Sequence, residues 1–274
     1  MNRKSKKINA FTLAGGRSPL LNGDEGAQGS PSLAKVAFTL AEVLITLGVI
    51  GVVAAVTLPT LIQNYKKHVV ETRLAKFYTT INQAIQMSET VNGDKKYWDT
   101  LGSGFEKDEN DNPDYSKPEA IAWFDKYLKP YLKYAKLETF NHKNTQGLVM
   151  VYFEDGSLLA FSAAGWSFYP YANKFKSFVD ENDIIQMDGS NSGTEYFSFF
   201  YAPNTFGENY KYHYNKDVEP YMYHWDGTID GTNGLKTSQS FGCKKDVPRS
   251  GRAYCTALIM QNGWKIPKDY PIKF

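Results

Sequence analysis

Among the residues whose types could do chemistry, Glu42 stands where a charge is least expected. It is the sole charge in the apolar run from Val36 to Leu58. An ionised carboxylate in such a run costs a few kcal/mol and needs a partner, which makes it a functional candidate. Cys243 and Cys255 are the two cysteines. An isolated pair cannot complete a four-ligand zinc site, and His68, His142, His213 and His224 show no ligand spacing around it. The pair reads as a disulfide of an oxidising compartment, with two buried free thiols as the competing reading. Two acidic stretches in Gly-rich loops, Asp180, Asp183 and Asp188, and Asp226, Asp230 and Asn233, offer oxygens that suit calcium. Turn chemistry accounts for them more simply. We therefore expect no cofactor and no metal, with calcium as the alternative. Asp108, Asn110, Asn112 and Glu119 imitate EF-hand spacing, but Pro113 stands where that loop needs Gly. No nucleophile elbow, phosphate loop, zinc-protease motif or Cys/His pairing is present, so we expect no enzyme. The tyrosines together with Trp123, Trp166, Trp225 and Trp264 could form a sugar-stacking face, although aromatics in a small sheet more often make core.

The elements that must carry these residues follow from periodicity. As a helix, Val36 to Leu58 spans about 35 Å, enough to cross a bilayer. The run exceeds a secretory signal core and lacks the polar stripe of a buried soluble helix. Beyond Pro59 the pattern turns amphipathic, with Leu61, Tyr65, Val69, Leu74, Phe77, Tyr78, Ile81 and Ile85 mostly at three- and four-residue steps. Asn92-Gly93 supplies a stop. The spacing thus predicts one helix from Phe38 to about Val91, roughly 80 Å long and bent at Pro59. Residues 93–115 read as a polar loop. Ser116, Pro118 and Glu119 suggest a capping box before a second helix carrying Ile121, Phe124, Leu128 and Leu132 to about Pro130 or a turn beyond. From Gln146 the period becomes two: Val149, Val151 and Phe153 alternate, Asp155-Gly156 turns, and Leu158 and Ala160 return. Further strands are expected near Phe175–Val179 and Tyr196–Tyr201, then an irregular stretch from Pro203 to Gly242. A short helix over Ala253–Gln261 is expected to stop at Asn262-Gly263. The fold class is α+β: a long N-terminal helix and a globular domain built on a mainly antiparallel sheet.

Length and charge set the remaining limits. The chain of 274 residues suits one globular domain plus an anchor. Of 31 Lys and Arg and 29 Asp and Glu, six and two precede Phe38, which leaves the remainder at 25 against 27, a net of −2. That excludes a nucleic-acid binder that relies on a basic footprint. Lys66, Lys67, Arg73 and Lys76 follow the span as Lys35 precedes it, so the charge bias gives no orientation.

The run KVAFTLAEVLITLGVIGVVAAVTLPTLIQNYKK, Lys35 to Lys67, resembles the N-terminus of type IV pilins and type II secretion pseudopilins. In that family a leader peptidase cuts after a small residue, the new N-terminal Phe is usually methylated, and a Glu follows at the fifth mature position. A cut between Ala37 and Phe38 makes Glu42 fifth and Pro59 twenty-second, where many members carry a helix-kinking proline. Ala37 stands where the family most often has Gly. The likeness covers Val36 to about Val91. It implies residues 1–37 as a cleaved leader, 38–92 as the long helix with a transmembrane half at 38–58, and 93–274 as a globular domain outside the cytoplasm. It also implies partners: prepilin peptidase, membrane lipid, an assembly platform of the bacterial inner membrane, and like or related subunits in a filament. Many pilins staple their C-terminal region, as Cys243 and Cys255 could here. Some pseudopilins bind calcium late in the sheet, in a pattern these loops do not match residue by residue. The expected function is a structural subunit of a pilus or secretion pseudopilus. The alternative is a monomeric, membrane-tethered binding domain outside the cytoplasm, with glycans as one ligand class.

Overall fold

The computed structural model describes residues 39–248 and 251–274. The expected leader and the cleavage position at Ala37 and Phe38 lie outside the described residues. The chain divides into two compact units, Met1–Val52 and Val53–Phe274.

Helix α1, Leu40–Asn92, begins in the first unit, ends in the second and continues through Pro59. Its apolar part contains a window of mean hydropathy 2.3 with no buried residue, and is long and apolar enough to cross a membrane. A helix suits that sequence despite its β-branched residues, because it satisfies every backbone polar group internally. Gly93, at φ 77, ends α1 where Asn92-Gly93 predicts.

In the second unit β1 (Phe105–Lys107) and β2 (Pro113–Pro118) form a short hairpin, followed by α2 (Glu119–Tyr127). Strands β3 (Lys136–His142), β4 (Gln146–Tyr152), β5 (Leu158–Ser162) and β6 (Gly165–Tyr169) form a meander, and β7 (Ser177–Val179) pairs with β8 (Ile185–Met187) as a separate hairpin. β9 (Phe197–Phe200) and β10 (Glu219–Pro220) complete a six-stranded antiparallel sheet of order β10-β9-β6-β5-β4-β3, and α3 (Cys255–Gln261) closes the chain's regular structure. The fold is α+β, as the periodicity predicts.

The core lies between one sheet face, α1 and α2. Leu74, Phe77, Ile81 and Ile85 of α1 join Val149, Val151, Phe161 and Phe168 of the sheet and Trp123 and Phe124 of α2. Phe77 stacks on Phe168 at 4.3 Å and meets Phe199 edge-on at 4.9 Å.

Four expectations need correction. The buried stripe of α1 starts at Val70, leaving Leu61 and Tyr65 65% and 66% exposed, because the sheet reaches only the later turns. Ser116 lies in β2 and caps nothing; α2 starts from Pro118 with no side-chain cap, and the Glu119 carboxylate accepts the Gly104 N–H at 3.3 Å instead. Residues 93–115 are not all loop, since β1 and the start of β2 fall there. Finally, β4 buries both faces: Val149 and Val151 face the helices' cluster, whereas Leu148 and Met150 join a second cluster with Leu158, Tyr169 and Tyr196. Its near-continuous apolar run fits a strand covered on both sides.

Candidate functional site

Glu42 sits in the first turn of α1 and is tied to Thr39 from both directions. The Thr39 N–H and hydroxyl donate to Glu42 Oε2 at 2.8 and 2.9 Å, and the Glu42 N–H donates to Thr39 Oγ1 at 3.2 Å. This is a reciprocal capping box, which satisfies two amides that the start of a helix would otherwise orphan. Among the described residues no cation lies within ion-pair distance of Glu42. The sequence reading missed Thr39, although Thr-x-x-Glu ahead of an apolar run is a legible capping signature. Further along, Pro59 has no N–H for the Ala55 carbonyl, while the Thr57 hydroxyl donates to Val53 O at 2.9 Å.

Polar contacts then fasten the later turns of α1 to the globular body. Arg73 donates to the carbonyls of Pro170 and Asp155, Lys76 pairs with Asp155 at 2.8 Å, and Glu71 meets Lys265 at 3.0 Å. Asn82 exchanges two bonds with the Val218 backbone, at 3.1 and 2.9 Å, so a helix side chain stands in for a strand partner. Tyr78 donates to both oxygens of Glu219, at 3.0 and 3.2 Å.

Burial raises the Glu219 carboxyl to about 7, and Asp217 adds to the rise against Tyr78 and Lys216. In the unfolded chain that carboxyl ionises near 4.5. Between these values the folded state holds the proton that the unfolded state has lost, so this group's contribution to stability falls as pH rises through the window. The expected loss is on the order of 2 kcal/mol between about pH 5 and about pH 8. Glu219→Gln keeps an acceptor for Tyr78 and should flatten that part of the profile. Urea midpoints of both proteins across this range decide it; parallel profiles would remove Glu219 as the cause.

The second half of the body is built differently. From Pro203 to Tyr254 the backbone is mostly turns, and Met222, Trp225, Leu235, Cys243, Tyr254, Cys255 and Leu258 form a separate apolar cluster. Cys243 and Cys255, both fully buried, are joined in a disulfide. Gly193, at φ 82, packs so close that a Cβ there would lie 2.6 Å from Cys255 Sγ.

The acidic loops use their oxygens internally. Asp180 Oδ1 accepts the N–H groups of Asn182 and Ile184 at 2.9 and 3.1 Å, and Asp188 Oδ1 accepts that of Ser190 at 2.9 Å. Asp226 accepts from the Thr228 hydroxyl and N–H at 2.7 and 2.9 Å and from the Asn233 N–H at 2.8 Å. These bonds hold the Asp180 and Asp226 carboxyls below the usual carboxylate range. Asp183 adopts φ 57, a turn conformation, and Asp230 lies in the turn-rich stretch after Asp226. Among the described residues no three His, Cys, Asp or Glu side chains are grouped to hold a metal ion.

A family model described as a family of unknown function (DUF6613) matches residues 60–274. The chain belongs to that family. No curated protein and no solved structure matches it. The DUF6613 match starts one residue after Pro59, so it takes in the amphipathic turns of α1, the sheet and the disulfide, and leaves out Glu42. Within the DUF6613 region Trp123, Trp166 and Trp225 are buried, and Trp264 is partly buried against Tyr78 at 4.9 Å between ring centroids. Of these four, the three buried rings are closed to a stacking sugar, and Trp264 is open in part.

Proposed function

We propose that the chain is a pilin-like filament subunit, anchored in the bacterial inner membrane with its DUF6613 body outside the cytoplasm and polymerised through α1 after removal of residues 1–37. One observation carries the reading: an apolar helix without a single buried residue in its most hydrophobic window opens on a carboxylate. Lipid alone would cover the apolar surface, and the Thr39 capping box gives Glu42 a local role, but neither gives its charge a cation among the described residues. A neighbouring helix that brings an ammonium at Phe38 accounts for both. The fixed offsets of Ala37, Phe38, Glu42 and Pro59 add to it. A disulfide agrees with a body held in an oxidising compartment. The tethered glycan-binding alternative keeps the anchor, and Trp123, Trp166 and Trp225 are buried away from such a ligand while Tyr97, Tyr115 and Tyr214 are exposed.

The test is the mature N-terminus. Mass spectrometry of the protein from its native host should find Phe38 first, carrying a methyl group. An intact Met1, or a cut after Ala54 or Ala55 as a secretory peptidase would make, sinks the pilin reading.

A further inference from the structure

Immediately past the apolar span, α1 forms one wall of a groove of about 520 Å³ whose other wall comes from the loop after β6, the segment 191–195 between β8 and β9, and the chain's last residues. Ile62, Tyr65 and Lys66 line it from the helix, and Tyr171, Lys174 and Lys273 face them. All of these residues belong to the second unit. We infer that this groove binds the headgroup and glycerol region of an anionic phospholipid of the membrane that α1 crosses; the inference rests on the membrane-anchored reading but not on filament assembly.

Three features converge on that ligand. The first is depth. Leu58 closes the apolar run and Ile62 is one turn further along, a rise of about 6 Å. A headgroup layer adds about 5–7 Å to each side of the hydrocarbon, so the mouth of the groove falls at phosphate level. The second is charge. Three lysines line the groove against one side-chain carboxylate, Glu195, and Lys174 already holds that carboxylate at 2.9 Å. Among the described residues neither Lys66 nor Lys273 forms an ion pair, and both are exposed. The third is the mixed lining. Ile62 is 49% and Tyr65 66% exposed, and these open apolar and aromatic surfaces alternate with the ammonium groups. A free phosphate would leave the apolar surface wet, whereas a phospholipid covers it and supplies the anion. This also explains why the amphipathic stripe runs on to Leu61 and Tyr65 where the sheet does not reach it.

The experiment uses the full chain in nanodiscs that contain either a photoreactive phosphatidylglycerol or a photoreactive phosphatidylcholine, with adducts mapped by mass spectrometry. Phosphatidylglycerol should label the peptides around Tyr65 and Tyr171 several-fold more than phosphatidylcholine. Lys66→Gln with Lys273→Gln should abolish that preference. Lys67→Gln, next to Lys66 but outside the groove, should keep it. Equal labelling by both lipids, or the same loss from Lys67→Gln, overturns the site and leaves a general surface charge. Adducts confined to the apolar span overturn the site while upholding the anchor. Failure to enter nanodiscs, with no adduct on residues 40–58, overturns the anchored reading itself.

Discussion

On the filament reading, Glu42→Val should leave the protein in the membrane and remove it from filaments. Valine makes the first turn of the span more apolar by roughly 2–4 kcal/mol on an insertion scale, so anchoring should not suffer. Its cost is local: the Thr39 N–H and hydroxyl lose their acceptor, which weakens the start of α1 by about 0.5–2 kcal/mol. The same residue thus offers two explanations for an assembly defect, a frayed helix start and a missing charge. Glu42→Gln separates them, because a glutamine oxygen can still complete the capping box but carries no charge to form an ion pair with an ammonium. The filament reading expects both variants to lose filaments while leader cleavage, followed by gel shift, continues at the unchanged Ala37–Phe38 position. Electron microscopy then counts the filaments. Normal filaments from Glu42→Gln would assign Glu42 to capping alone, and normal filaments from Glu42→Val would return the chain to a simple tether.

Replacing both cysteines has the largest effect on folding. The Cys243–Cys255 bridge spans 12 positions, and chain entropy alone assigns such a loop about 3 kcal/mol. The loss falls unevenly. The sheet core is cross-linked by strand ladders and by α1, while the cluster around Met222, Trp225, Leu235 and Tyr254 has mostly turns to hold it. Cys243→Ala with Cys255→Ala should therefore lower the denaturant midpoint, and amide exchange should quicken first between residues 203 and 262 while β4, β5 and β6 stay protected. An unchanged midpoint, or loss of protection in the sheet first, would show that the bridge does not support this half of the body.

The particular residues also show where local sequence suffices. The apolar run, the stop at Asn92-Gly93, the hairpin through Asp155-Gly156 and the last helix ending near Asn262 are all legible, because each depends on side chains within a turn or two of one another. So is the cysteine pair, since no other cysteine competes for it. Strand β3 was not legible. Its KLETFNH sequence lacks a clean apolar alternation, and as an edge strand it is held by β4 on one side. β6 was missed for a related reason: Gly165 and Ser167 break its apolar pattern, and it becomes a strand by pairing with both β5 and β9. Capping by Thr39 is legible in the sequence from the Thr-x-x-Glu spacing alone. In contrast, Tyr78 and Glu219 lie 141 positions apart, and Asn82 and Val218 136, so only the closed fold brings them within hydrogen-bond reach. The same holds for the groove, whose lysines come from residues 66, 174 and 273. What the sequence determined alone is the span, its carboxylate and the turns that bound each regular element. What the tertiary structure decided is where the stripe of α1 stops being core and which charges face one another, because burial and pairing are set by neighbours that the chain acquires only on folding.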